Sequence, residues 1–181
     1  MLLEKYTTKW IEQFEDIKFE IDGELSGLEY RIEHVGSTSV PNLDSKPIID
    51  LDIIYEHESE FEKIKSGLIK LGYYHNGNQG IENREVFKRN VISSNRILDS
   101  ILHHLYVCPK DCEPLERHVL LRNFLRKNDW ARLSYQNRKY EIAEKAHQNK
   151  KRYAELKELT INDFIDELIE KEKTKLNNSY M

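Results

Sequence analysis

Cysteine is scarce in this chain of 181 residues, with Cys108 and Cys112 the only two. So small a number excludes a disulfide framework, and both are expected to be free thiols. Structural zinc sites usually pair cysteines at C-x2-C or C-x4-C. Here a proline lies in the intervening loop, so no zinc is expected, even with His103 and His104 upstream. Long apolar runs are also missing, which excludes a membrane-spanning helix of ordinary length. The opening Met1-Leu2-Leu3-Glu4-Lys5-Tyr6 lacks the apolar stretch of a signal peptide, and the expected location is the cytoplasm. Glycine and proline number only seven and four, and no internal repeat or long linker divides the chain. The net charge is only −4, which by itself points to no partner.

What remains is a composition that is 39% apolar and 33% charged, as expected of a globular chain and against disorder. The length suits one domain with a core, or one domain with a helical appendage. The small net charge hides an asymmetry. Residues 116 to 152 carry eleven Lys/Arg against four Asp/Glu. That excess is either a solvated helix face with i,i+4 pairs or an electropositive wall for nucleotide phosphates or RNA.

Apolar spacing orders the chain. Trp10, Phe14, Ile17, Ile21, Leu25 and Leu28 recur every three or four residues, which predicts an amphipathic helix capped by Thr7 or Thr8 and ending before Leu28. Strands are predicted at 30–35 and 48–54, then a helix from Ser59, as N-cap, to Leu71, stopped by Gly72. Strands follow at Tyr73-Tyr74, 84–91 and 102–108, with 90–99 expected to be irregular. Beyond Pro109 the pattern is helical. Asp111 is a candidate cap, and Leu115, Val119, Leu120, Phe124 and Leu125 form the apolar face. A second helix starts at Asn128 or Asp129, with Trp130, Leu133, Tyr140, Ile142 and Ala143 as its buried positions. A last helix runs through Tyr153, Leu156, Ile161, Phe164, Ile165 and Leu168.

The stretch from Ile32 to Ile53 holds the chemistry. A strand breaks at Gly36-Ser37, and a polar loop passes Pro41, Lys46 and Pro47 into a second strand. Side chains alternate along a strand, so Ile49, Leu51 and Ile53 share one face and Asp50 and Asp52 the other. At about 3.3 Å per residue the two carboxylates start roughly 7 Å apart. Such alternation is also the ordinary pattern of a half-solvated strand.

The segment E-H-V-G-S-T-S-V-P-x-L-x-x-K-P-I-I-D-L, from Glu33 to Leu51, resembles the signature of the GrpB family. Blocks at 84–89 (R-E-V-F-K-R), 103–108 (H-H-L-Y-V-C) and 116–126 (E-R-H-V-L-L-R-N-F-L-R) are similar to further blocks of that family, in the same order. The family in turn resembles the DNA polymerase beta-type nucleotidyltransferases, whose hallmark is Gly-Ser followed by D-x-D on the next strand. The resemblance implies an α+β fold in a single domain: an α/β core over 1–110 with helices packed on a small mixed sheet, and C-terminal helices over 111–175.

It also implies a nucleoside triphosphate or other phosphorylated small molecule as ligand, an unknown acceptor, and Mg²⁺ or Mn²⁺ as cofactor. Asp50 and Asp52 would hold the metal, because Mg²⁺ takes hard oxygens from one or two carboxylates plus substrate phosphates. Gly36 would let the backbone approach the phosphates, and Ser37 would hydrogen-bond them. Lys46, Arg84 and Lys88 are candidate phosphate neutralisers or ordinary surface cations. Arg122 and Arg126, neighbours on one helix face, are expected to bring at least one guanidinium to the mouth of the site. The usual third carboxylate has no evident counterpart. His104 shares a strand face with Tyr106 and is a candidate ligand, base or partner of Asp50, while Glu82 and Glu85 are the nearest acids on the preceding strand. His34 is expected to be a packed anchor of the loop. Transfer of a nucleotidyl group, binding without catalysis and RNA association remain as readings.

Overall fold

In the computed structural model, residues 1–90 and 94–179 are described, with side chains through Lys175. Five strands form one mixed sheet: β1 (Tyr30–Val35), β2 (Ile49–Tyr55), β3 (Tyr73–His75), β4 (Glu85–Arg89) and β5 (His103–Pro109). Their order is β1-β2-β5-β4-β3. β2 and β5 run parallel, and the other neighbours antiparallel. Around the sheet lie α1 (Lys9–Glu24), α2 (Glu58–Lys70), α3 (Arg96–Ser100), α4 (Glu113–Lys127), α5 (Asp129–Lys145) and α6 (Lys150–Ser179). The architecture is α+β, as the sequence resemblance implies.

The two faces of the sheet differ because residues alternate across it. On one face Ile49, Leu51, Ile53, Phe87, Leu105 and Val107 pack against Trp10, Phe14, Ile17 and Ile21 of α1 and Ile64 and Leu68 of α2. Each fully buried aliphatic or aromatic side chain of this kind contributes about 1.5–3 kcal/mol. The other face presents Asp50, Asp52, His104 and Tyr106 toward the C-terminal helices. Those helices form a second core from Leu120, Phe124, Leu125, Tyr135, Ile142, Tyr153, Ile161 and Leu168, joined by Leu2, Leu3, Val40 and Leu43. A bridge between Glu4 and Ser45 ties the N-terminal residues to the loop before β2. Ile54, Cys108, Cys112 and Leu115 close a third, small cluster, where burial pushes the Cys108 thiol up.

Local corrections have local causes. Thr8 is the N-cap of α1 and the helix ends at Glu24, before Leu28 as expected and ahead of Gly27 at φ 85°, but the cap makes no side-chain bond. α2 is capped by extended His57, so Ser59 lies inside its first turn. Part of the expected irregular stretch 90–99 is α3, because Asn95 Oδ1 accepts from Ile97 N at 3.1 Å and Leu98 N at 3.0 Å. Residues 91–93 of that stretch, and so the end of the strand expected at 84–91, lie outside the described residues. Cys112, one residue past Asp111, caps α4, with Pro114 in the first turn where its missing N–H costs nothing.

The buried stripe of α5 is the largest departure. Trp130 and Leu133 are each 52% exposed, while Ala131, Tyr135, Lys139, Ile142 and Ala143 are buried. The long apolar side chains suggested one face, but the 3.6-residue repeat is carried by smaller and polar ones.

Candidate functional site

β2 sets the site. Asp50 lies opposite Val35 on one side and His104 on the other, and Asp52 opposite Glu33 and Tyr106. Each carboxylate receives an imidazole. His104 Nδ1 is 2.8 Å from Asp50 Oδ1, and His118 Nδ1, from α4, is 2.8 Å from Asp52 Oδ2. The two pairs differ in access. Asp50 is half-buried and faces a cavity, whereas Asp52 is 1% exposed beneath His118, and its Oδ1 is buried without a partner.

The loop after β1 is held close over Asp50. Gly36 has φ 69°, and a Cβ there would stand 2.2 Å from Asp50 Oδ2. No other residue type fits so close an approach. Ser39 Oγ donates to the Gly36 carbonyl at 2.6 Å, and Thr38 Oγ1 to the Ile48 carbonyl at 3.3 Å. His34 anchors the loop from beneath. Its Nε2 meets Thr38 Oγ1 at 3.1 Å, its ring stacks on Phe14 at 4.6 Å, and burial lowers its pKa to about 4.

The cavity measures about 790 Å³, within the size range of small-molecule sites. Six cations line it: Lys46, Arg84, Arg117, Arg122, Lys139 and Lys157. Only three carboxylates do so, Asp50, Glu82 and Glu113, and the lining therefore favours an anion.

Seven of the ten residues singled out in the sequence line this cavity: Gly36, Ser37, Lys46, Asp50, Arg84, His104 and Arg122. Arg84 stacks its guanidinium 4.9 Å from the Tyr106 ring centre. Arg122 reaches Glu33 Oε2 at 2.6 Å and the His34 carbonyl at 2.9 Å. Asp52, Lys88 and Arg126 are not on the lining. Asp52 is sealed beneath His118. Lys88 shares a β4 face with Val86, which is opposite Tyr106, but it lies farther along toward β3 and is exposed. Arg126 turns behind the loop, donating Nε and Nη2 to the Ser39 carbonyl at 3.0 and 2.6 Å.

Several residues were overlooked as site components, among them Glu33, Arg117, His118, Lys139 and Lys157. Glu33 is the acid opposite Asp52, but Arg122 occupies one of its oxygens. Of the acids considered from sequence, Glu82 lines the cavity, while Glu85 pairs with Val107 on the opposite face and meets His75 at 2.5 Å. His118 lies four residues before Arg122, on the same helix face, and that spacing was a usable signal. Lys139 and Lys157 had none, since both read as ordinary helix cations.

The basic segment divides rather than forming one wall. Arg117, Arg122, Lys127 and Arg132 pair with Asp166, Glu33, Glu172 and Asp129.

Among the described residues no three or more His, Cys, Asp or Glu side chains form a metal cluster. Mg²⁺ does not require one, because phosphates and water complete its octahedron. Asp50 Oδ2, beside Gly36 on the cavity wall, supplies a hard oxygen, so the lining fits such an ion, whereas the orphaned Asp52 Oδ1 is sealed away from it. No helix among the described residues is long and apolar enough to cross a membrane.

Comparison with known proteins finds similarity over nearly the whole chain. The family model described as GrpB protein matches residues 1–171. The glutamate-rich protein GrpB of Alkalihalophilus pseudofirmus is 25% identical over 169 residues, 93% of this chain and 95% of that one. YqkA of Bacillus subtilis is 30% identical over 121 residues, 67% of this chain but only 33% of its own length. The crystal structure of conserved protein GrpB from Enterococcus faecalis superimposes with a TM-score of 0.77 and 26% identity, covering 96% of this chain and 98% of that one. A Cid1 structure in complex with its short product ApU has a TM-score of 0.46 and 12% identity, over 67% of this chain and 39% of Cid1.

Proposed function

Since the chain belongs to the GrpB family, we propose that it binds a nucleoside triphosphate with Mg²⁺, or Mn²⁺, in the cytoplasm and passes a nucleotidyl group to an acceptor. The observation that carries this reading is the cavity itself. A carboxylate lies under a glycine loop at one wall, and six cations line the cavity as a whole. Phosphoryl chemistry needs mostly positioning and neutralisation of charge, and this lining has the residues for both.

Asp50 would hold the metal through Oδ2, its other oxygen being oriented by His104. The metal, when bound, would neutralise charge on the transferring phosphate. Gly36 and Ser37 would present backbone and hydroxyl donors to the phosphates, and Lys46, Arg84 and Arg122 would oppose their charge. Arg126 would act by bracing the loop through the Ser39 carbonyl, and Asp52 by orienting His118. Lys88 has no part in this arrangement.

Thermal unfolding with a panel of nucleotides, with and without Mg²⁺, tests the reading, since a ligand bound to the folded state raises Tm. A rise that requires both nucleotide and metal is expected; no metal-dependent rise with any nucleotide would overturn it.

A second reading, a module that binds the same ligand without turning it over, is favoured by one observation. On the strands of the site no second carboxylate is free to join Asp50 among the described residues, because Asp52 is sealed and Glu33 is taken by Arg122, while Glu82 and Glu113 reach the cavity from outside the sheet. Incubation with labelled triphosphate separates the two, as only transfer releases pyrophosphate.

A further inference from the structure

One corner of the cavity gathers three lysines. Lys46 comes from the loop before β2, Lys139 from α5 and Lys157 from α6. Lys139 is 2% exposed, yet its Nζ meets only the Ser37 hydroxyl at 3.3 Å and the Asp44 carbonyl at 2.5 Å. The remaining surroundings are aromatic. Lys139 and Lys157 lie 5.0 and 6.0 Å from the Tyr135 ring centre, and Lys46 lies 5.1 Å from that of Tyr153.

None of the three makes an ion pair with a carboxylate among the described residues. The Asp44 carboxylate is occupied by Lys5, Tyr140 and the Tyr6 amide, and Asp50 acts on Lys46 and Lys157 only at longer range. A buried ammonium without a counter-charge is costly, and a cavity corner that adds two more lysines to it is short of an anion.

We propose that this corner is a polyphosphate subsite, in which Lys46, Lys139, Lys157 and the Ser37 hydroxyl hold the terminal phosphates of a di- or triphosphate chain without help from a metal or a nucleoside. The proposal rests on the reading of the cavity as a site for phosphorylated ligands and adds which part of the ligand is gripped, and where. Asp50, at the Gly36 wall, then faces the other end of the chain. Electrostatics supports the assignment. Burial, and then the charge of Lys157, drives Lys139 well below the usual lysine range, and an anion would restore it. Burial lowers Lys46 as well, while Tyr135 holds Lys157 up. A longer chain brings more charge and more oxygens to the three ammonium groups than a single phosphate does, so chain length should set affinity.

Titration calorimetry of the full chain with inorganic tripolyphosphate, in a chelator and at fixed salt, tests this directly. Tripolyphosphate is expected to bind at least tenfold more tightly than inorganic phosphate. Lys157→Ala, at a half-buried position, should weaken it at least tenfold, as should Lys139→Met if that variant folds. Equal affinity for tripolyphosphate and phosphate, or no loss in Lys157→Ala, would overturn the subsite. Binding of nucleotide with Mg²⁺ but not of tripolyphosphate alone would sink the subsite and leave the broader reading standing.

Discussion

The two faces of the sheet share strands but not chemistry. The face under α1 and α2 is close-packed and apolar, with Leu51, Ile53, Leu105 and Val107 each at 0% exposure. The opposite face, one residue along each strand, carries carboxylates, imidazoles and a cavity. The first face supplies stability. The second spends some of it on a buried lysine and an orphaned carboxylate oxygen, as binding sites commonly do. The contrast predicts that substitutions on the first face change folding and little else, whereas those on the second change ligand binding and little else.

The largest expected effect lies on the apolar face. Leu51→Ala should cost about 4 kcal/mol of stability, since it opens a cavity in a packed core. Urea unfolding would show this as a lower midpoint, with nucleotide affinity of the folded fraction unchanged. A large affinity loss would break the division between faces.

On the polar face, Asp50→Asn should weaken Mg²⁺-dependent nucleotide binding about 100-fold, or about 2.7 kcal/mol. Removing the charge leaves the shape intact, so Tm without ligand should barely move. A collapse of the ligand-free fold would make Asp50 a structural residue instead.

His34 couples the faces, and pH tests it. Its folded pKa is about 4 against 6.5 in the unfolded chain, so between those values the unfolded chain binds the proton. Stability should therefore hold above pH 6.5 and fall as pH drops toward 4, by about 2 kcal/mol between pH 6.5 and 5. His103, also lowered by burial, adds a loss of the same sign. His34→Gln should flatten the unfolding profile over that window, and an unchanged slope would remove His34 from the account.

The smallest effect belongs to Arg126. Its guanidinium grips the Ser39 carbonyl from an exposed position, so Arg126→Ala should cost about 1 kcal/mol, at the low end for a charged hydrogen bond. Triphosphate and nucleoside affinities should fall together, because the residue braces the loop and does not line the cavity. A selective loss for triphosphate would return it to the phosphate site.

Local patterns were sufficient for much of this molecule. Alternation in Ile49-Asp50-Leu51-Asp52-Ile53 assigned each side chain to its face, because strand geometry has a period of two wherever the strand lies. Gly36-Ser37 marked the loop over Asp50, and the spacing of Trp10, Phe14, Ile17 and Ile21 marked α1. The pairing of His118 with Asp52, of Arg122 with Glu33, and the meeting of Lys46, Lys139 and Lys157 were decided by the tertiary fold. These contacts join residues 66, 89 and as many as 111 positions apart. Periodicity gives the direction a side chain faces along its own element. It carries nothing about which other element will stand opposite, and that depends on how α4, α5 and α6 pack across the sheet.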